Sequence, residues 1–300
     1  MNKRYLAAMM GAGLFLAGLP PVVRAENQQF QVVPPPLPMM RLLTDWAELS
    51  NDLIYLKAKA GGITLKGGGY TGVFNAITST HTGVAVNFAF IGMGGDLPSN
   101  YSSMAGFQGD MGFSVLSEGV NFVVDPLSTP ARNQKGWALP ISVGPTLTMM
   151  NSSIVTSYLR TNTSGTIVSE DDTVDIFGVL YGWQAGIGVG IPLDRNNYLR
   201  LFPFATLNQN LGGSFTVTTD LTSTSADAEK SPPSTSYGMD IQIPRWNLSV
   251  GSIIQQMKKQ KEGDDDVKTT MYRLSWTLRF SAANRQARLE KIKAGRSQSK

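Results

Sequence analysis

Hydrophobic and polar positions alternate along most of this 300-residue chain. Val84-Ala-Val-Asn-Phe-Ala-Phe90 sets large apolar residues at even positions against Ala, Asn and Ala. From Ala105 to Val115 the odd row reads Ala, Phe, Gly, Met, Phe, Val, opposite Gly106, Gln108, Asp110, Gly112 and Ser114. Trp137 to Met149 repeats the pattern, and Phe177 to Ile191 sets Phe, Val, Tyr, Trp, Ala, Ile, Val, Ile against a row that is nearly all glycine. Tyr237 to Ile243 and Trp246 to Ile254 follow suit. Successive strand side chains point to opposite faces, so this period predicts strands. They fall at 62–67, 70–78, 83–91, 104–117, 137–150, 173–191, 198–208, 236–243, 246–256 and 270–280. Several exceed the roughly 5–6 residues of an ordinary soluble strand and match the roughly 9–11 that cross a bilayer at a tilt.

Alternation alone does not say which face is inside. A soluble barrel turns its large residues inward, whereas a membrane barrel turns them to lipid. Three features favour the second arrangement. The small face is rich in Gly and Ser, a composition suited to a lumen. Trp137, Tyr198, Trp246 and Tyr272 fall near strand ends, where interfacial aromatic girdles lie. Connections alternate between short (78–82, 192–197, 244–245) and long (92–103, 151–172, 209–235, 257–269). The expected fold is all-β: an antiparallel transmembrane β-barrel of about ten strands, with eight or twelve left open. Its lumenal polar candidates are Gln108, Asp110, Gln184 and Asp240.

The last predicted strand, Tyr272-Arg-Leu-Ser-Trp-Thr-Leu-Arg-Phe280, carries Tyr272, Leu274, Trp276, Leu278 and Phe280 on one face. This amphipathic, Phe-ended strand resembles the assembly signal of bacterial outer-membrane β-barrel proteins. The resemblance names a class and no specific family. It implies the cell outer membrane as location, and the barrel assembly machinery, outer-membrane lipid and lipopolysaccharide as partners.

The remaining segments have other patterns. Residues 1–25 read as a cleaved signal peptide: Lys3 and Arg4, an apolar run from Leu6 to Leu19, then Val23-Arg24-Ala25. Residues 26–60 read as a Pro-rich linker, Val33-Pro-Pro-Pro-Leu-Pro38, followed by an amphipathic helix over 39–60. There Leu42, Trp46, Leu49, Leu53, Leu56 and Ala60 recur at helical spacing and Gly61-Gly62 supplies a stop. Residues 61–280 form the barrel. Residues 281–300 form a basic, helix-prone periplasmic tail suited to an anionic periplasmic partner.

Charge and chemistry narrow the function. The chain holds 26 basic and 22 acidic residues, but the excess sits in the leader and the tail, so the body gives no ground for nucleic-acid binding. There is no cysteine, and the single histidine, His81, falls on a predicted short turn without a nearby carboxylate. No nucleophile–base–orienter pattern, phosphate loop or cofactor motif is present, so no enzyme activity, cofactor or metal is expected. The acidic runs Glu170-Asp-Asp172 and Asp264-Asp-Asp266 read as solvated loops. The expected function is a small pore or carrier for a small or apolar solute. The alternative is a structural or adhesion barrel acting through its outer loops and periplasmic ends.

Overall fold

The computed structural model describes residues 47–60, 63–78, 81–97, 106–127, 137–161, 166–194, 198–219, 222–228, 230–257 and 267–280. The expected signal peptide, the Pro-rich linker and the basic tail lie outside them.

Twelve strands follow in order: β1 (Ala47–Ala60), β2 (Ile63–Ile77), β3 (Thr82–Asp96), β4 (Gln108–Val124), β5 (Ile141–Thr161), β6 (Ile167–Gly188), β7 (Ile191–Pro192), β8 (Arg200–Thr219), β9 (Ser223–Ala228), β10 (Ser234–Ile243), β11 (Leu248–Met257) and β12 (Val267–Phe280). Neighbours pair antiparallel, β8 passes to β10, and β12 returns to β1. The two-residue β7 and the short β9 only add to β8. Ten strands therefore close a ring. Closure gives each strand of the ring two partners, which is what a sheet in lipid requires.

Two expectations are corrected. The helix foreseen over 39–60 is strand β1 from Ala47 onward. Leu49 and Leu53 lie four residues apart, a spacing that fits one face of a helix and one face of a strand alike. Pairing decides between them: β1 bonds β2 on one side and β12 on the other, and the odd Leu53 and Tyr55 face out while Glu48, Asp52 and Leu56 are buried. The segments foreseen at 62–67 and 70–78 are one strand, β2; its Gly67-Gly68-Gly69 runs through the ladder without a turn. The expected number of strands thus comes out right through two misplacements that cancel.

Thr78, His81, residues 244–247 and both ends of the ring lie at one end of the barrel, the base. From the base upward the outer face is apolar: Ile141, Val143, Leu147 and Met149 on β5, Ile187, Tyr181 and Phe177 on β6, Leu278, Leu274 and Tyr272 on β12 are all exposed. Exposed Phe74, Phe122, Trp137, Tyr198, Trp246 and Phe280 ring the base, and Tyr55, Phe90, Tyr181, Tyr237 and Tyr272 mark the upper edge. This is the outward apolar band between aromatic girdles of a transmembrane barrel. Its exceptions are Glu118, exposed on the outer row of β4, and Asn51, outward on β1 but buried.

β5 and β6 run to 21 and 22 residues, roughly twice what the bilayer needs. Above the band their outer face becomes mixed, with Asn151, Asp171 and Asp175 exposed beside Val155 and Leu159, and their inner face gains large apolar residues. Met111, Phe113 and Val115 (β4), Met150 and Ile154 (β5), Val174, Ile176 and Leu180 (β6), Phe215 and Val217 (β8) form one buried cluster. Two solvents act on one wall. In the lower part lipid draws the apolar row outward; in the upper part water leaves it inside. β8 makes the switch with a bulge: pairing slips between Tyr181 and Gly182, so even positions such as Phe202 and Phe204 face in below it and odd positions such as Phe215 and Val217 face in above.

Candidate functional site

The lower lumen is the polar space, because inner rows freed from lipid contact need not be apolar. β1 contributes Glu48, Ser50 and Asp52; β3 and β4 contribute Asn87, Ser117 and Asn121; β8, β10 and β12 contribute Arg200, Asp240, Arg273 and Ser275, all buried. Several pair across neighbouring strands, and one pair reaches over β11. The Arg273 guanidinium donates from Nε to Asp240 Oδ1 at 2.8 Å and from Nη2 to Oδ2 at 2.5 Å, a bidentate ion pair. It also lies 4.8 Å from the Phe204 ring centroid, within cation–π range. Asp52 accepts from Thr71 at 2.9 Å, Asn121 donates to Asn87 at 2.8 Å, and Ser117 bonds Thr148 at 2.9 Å. Glu48 and Arg279 approach at 3.6 Å beside the β12–β1 seam.

Of the expected lumenal residues, Gln184 and Asp240 are buried on the inner rows of β6 and β10. Asp240 meets Arg273; Gln184 sits opposite Asn208, on the far side of the ring from β12. Gln108 and Asp110 are corrected: both are exposed on the outer row of β4. They lie above the apolar band, where the odd row Met111, Phe113, Val115 turns inward and leaves the even row to water. The expected residues therefore form no single site.

The glycine row of β6 does not leave the lumen empty. A Cβ on Gly178 would meet the Phe215 ring at 2.1 Å, and one on Gly188 the Phe202 ring at 2.4 Å. On β10, a Cβ on Gly238 would meet Phe204 at 2.6 Å. The glycines are small because β8 aims aromatic rings across them. With Ile54, Leu56, Ile91, Ile253 and Met271, Phe202 and Phe204 make a second buried cluster at mid-height. Phe202 is 0 % exposed and Leu56, Leu65 and Val115 each 1 %, so side chains of the described residues fill the lumen from the polar base to the apolar top.

Several inner residues lie outside the expected set. Arg273, Ser275, Thr277 and Arg279 alternate with the lipid-facing row of the last strand, and that spacing alone assigns them to the lumen. Asp125 has no such pattern: its Oδ1 accepts from the backbone N–H of Leu127 and of Leu139, both at 3.0 Å, pinning the two ends of the β4–β5 connection. His81, as expected, is at a base turn, with Nδ1 3.0 Å from the Asp125 carbonyl oxygen. Glu170 and Asp172, expected in a loop, lie within β6, where Tyr158 donates to Asp172 at 3.1 Å. On the outer face of the last strand, Tyr272, Leu274, Leu278 and Phe280 are exposed. Trp276 in the same row sits opposite Asn51, with its ring 6.4 Å from that of Tyr70, whose hydroxyl donates to Asn51 Oδ1.

No family model matches the chain, and no curated protein matches it. Solved structures do. The outer membrane protease OmpT from Escherichia coli is 10% identical with a TM-score of 0.48, over 80% of this chain and 99% of that one. The translocator domain of autotransporter NalP from Neisseria meningitidis is 11% identical with a TM-score of 0.45, over 78% and 88%. The outer membrane protein OprG from Pseudomonas aeruginosa is 7% identical with a TM-score of 0.35, over 79% and 98%. The chain is thus similar to bacterial outer-membrane β-barrel proteins as a class, and to no specific family among them.

Proposed function

We propose that this chain is a sealed, non-enzymatic barrel of the outer membrane that works through the wall it raises above the bilayer. The observation that carries this reading is the closed lumen: polar pairs fill the base, Phe202 and Phe204 the middle, and the apolar cluster around Phe113 and Ile176 the top. The tall wall built by β4, β5, β6 and β8 is the part that reaches beyond the apolar band. Export by the N-terminal leader and insertion through the strand ending at Phe280 complete the reading. Purified protein in planar bilayers is expected to be electrically silent and to migrate in a heat-modifiable way on a denaturing gel. Steady conductance would reject the sealed barrel, and identical migration before and after boiling would reject the barrel itself.

A second reading, a carrier for an apolar solute, is favoured by the apolar inner wall of the upper part, where Phe113, Val115 and Leu180 would face a solute entering from that end. Cells with and without the protein would then differ in accumulation of a fluorescent apolar compound. Equal accumulation excludes it.

A further inference from the structure

Between the two apolar clusters of the lumen lies a layer of uncharged polar side chains. Gln184 on β6 is opposite Asn208 on β8, and Asn208 is opposite Ser234 on β10. One inner position lower, Thr206 on β8 is opposite Ser236 on β10, and Ser236 is opposite Gln255 on β11. Phe204 and Ile253 stand below these residues on their strands, Leu180 and Met257 above them.

The layer has acceptors to spare. Gln255 donates from Nε2 to Ser234 Oγ at 3.4 Å. Gln184 Oε1, Thr206 Oγ1, Asn208 Oδ1 and Ser236 Oγ, by contrast, are enclosed without a hydrogen-bond partner among the described residues. Nearly every buried polar group in a folded protein is bonded, and each one left over costs free energy. Here they occur together on three adjoining strands. All are oxygens, and no charged side chain belongs to the layer.

We infer that this layer is the polar half of a binding site for a small uncharged ring compound carrying two or more hydroxyl groups. Neutral acceptors select a neutral donor, because a cation would be desolvated there without a counter-charge. The apolar half is the cluster above, where Leu180 and Phe215 offer a ring its faces. That cover can yield: Met111, Met150 and Met257 are among its buried members and Met93 packs against it. Unbranched methionines adapt to a guest more readily than branched side chains. A hydroxylated ring matches both halves, whereas a plain hydrocarbon would leave the oxygens unbonded. The inference rests on the carrier reading for entry from the upper end, and gives that cargo its hydroxyl groups. Occupancy fills the lumen further and leaves the barrel electrically silent.

The test is equilibrium dialysis of radiolabelled resorcinol, a benzene ring with two hydroxyls, against the full chain in detergent micelles, with empty micelles as background. Saturable binding is expected. 1,3-Dimethoxybenzene, the same ring with its donors blocked, should compete about tenfold less well. Thr206→Val combined with Ser236→Ala removes two of the oxygens with little change of shape. It should weaken binding about tenfold and leave heat-modifiable migration intact. Without resorcinol this variant should unfold at higher urea than the parent, since it removes partnerless groups. With resorcinol that advantage should shrink or reverse, because the parent gains more from binding; a merely structural role would not respond to the compound. Gln184→Leu, on the other side of the layer, is an independent second variant with the same expectation. No saturable binding, equal competition by the dimethoxy compound, or undiminished binding in both variants would each overturn the inference. Saturable binding beside equal accumulation of the fluorescent apolar compound in cells with and without the protein would uphold the site and remove the carrier reading.

Discussion

Arg273 and Asp240 meet across a strand that separates them. Asp240 is on β10, Arg273 on β12, and the β11 residue between them in register is Gly251. A Cβ on that glycine would lie 1.8 Å from Asp240 Oδ1. The ion pair, with both side chains at most 2 % exposed, exists because the intervening residue has no side chain. Gly251→Ala should therefore break it. Removing one partner of a buried pair costs about 3–5 kcal/mol, and exchanging both for apolar residues of similar volume costs far less. Asp240→Asn and Gly251→Ala should both lower the urea midpoint of the folded barrel, while Asp240→Leu combined with Arg273→Met recovers most of the loss. Additive losses in the double variant would contradict the pairing.

Tyr70 and Asn51 should behave as a unit on the lipid side of the seam. Tyr70→Phe leaves the buried Asn51 amide without its donor, at about 1–3 kcal/mol. Adding Asn51→Leu removes the unsatisfied group, so the double variant should unfold at higher denaturant than Tyr70→Phe alone. Equal midpoints would show that the hydroxyl contributes nothing there.

Glu118 is exposed between Leu116 and Val120 on the outward row of β4, within the apolar band. A charge facing lipid is destabilising in a depth-dependent way, less for acids than the roughly 2–4 kcal/mol of a midplane Lys or Arg. Glu118→Leu should raise the denaturation midpoint of protein refolded in vesicles. A fall instead would mean that another protein covers this face.

Single cysteines can map the two zones directly, since the chain has none of its own. A membrane-impermeant maleimide should label Gln108→Cys and Asp110→Cys quickly, and Met111→Cys and Phe113→Cys only after unfolding. In the band, Trp183→Cys should react with a lipid-soluble reagent and Gln184→Cys with neither before unfolding. Fast labelling at 111 or 113 would invert the assignment of β4.

Where lipid was the only solvent outside, the sequence spoke clearly. The rows of β3, the lower part of β5, β6, β10 and β12 face as their period demands, because large apolar outward residues alternate there with mainly small or polar inward ones. β4 faces opposite to its expected sense because Phe113 and Met111 stand above the bilayer, and a period gives phase without saying which medium lies on either side. β1 carries a helix-like pattern because Glu48 and Asp52 alternate with Leu49 and Leu53, and inward charges beside outward leucines mimic an amphipathic helix. The Asp240–Arg273 contact needs the register of three strands, which no local pattern contains. Phe202 and Phe204 were readable only as strand residues; that they fill the space over the β6 and β10 glycines is a matter of tertiary packing.

The reversal of faces along β5 and β6 also acts as a draught mark on the molecule. Were the barrel to sink, Lys57, Lys66 and Asp175 would enter hydrocarbon; were it to rise, Val143, Leu147 and Ile187 would be wetted. Either displacement exposes the wrong row to the wrong medium on several strands together, so side chains of the wall itself hold the vertical position in the bilayer.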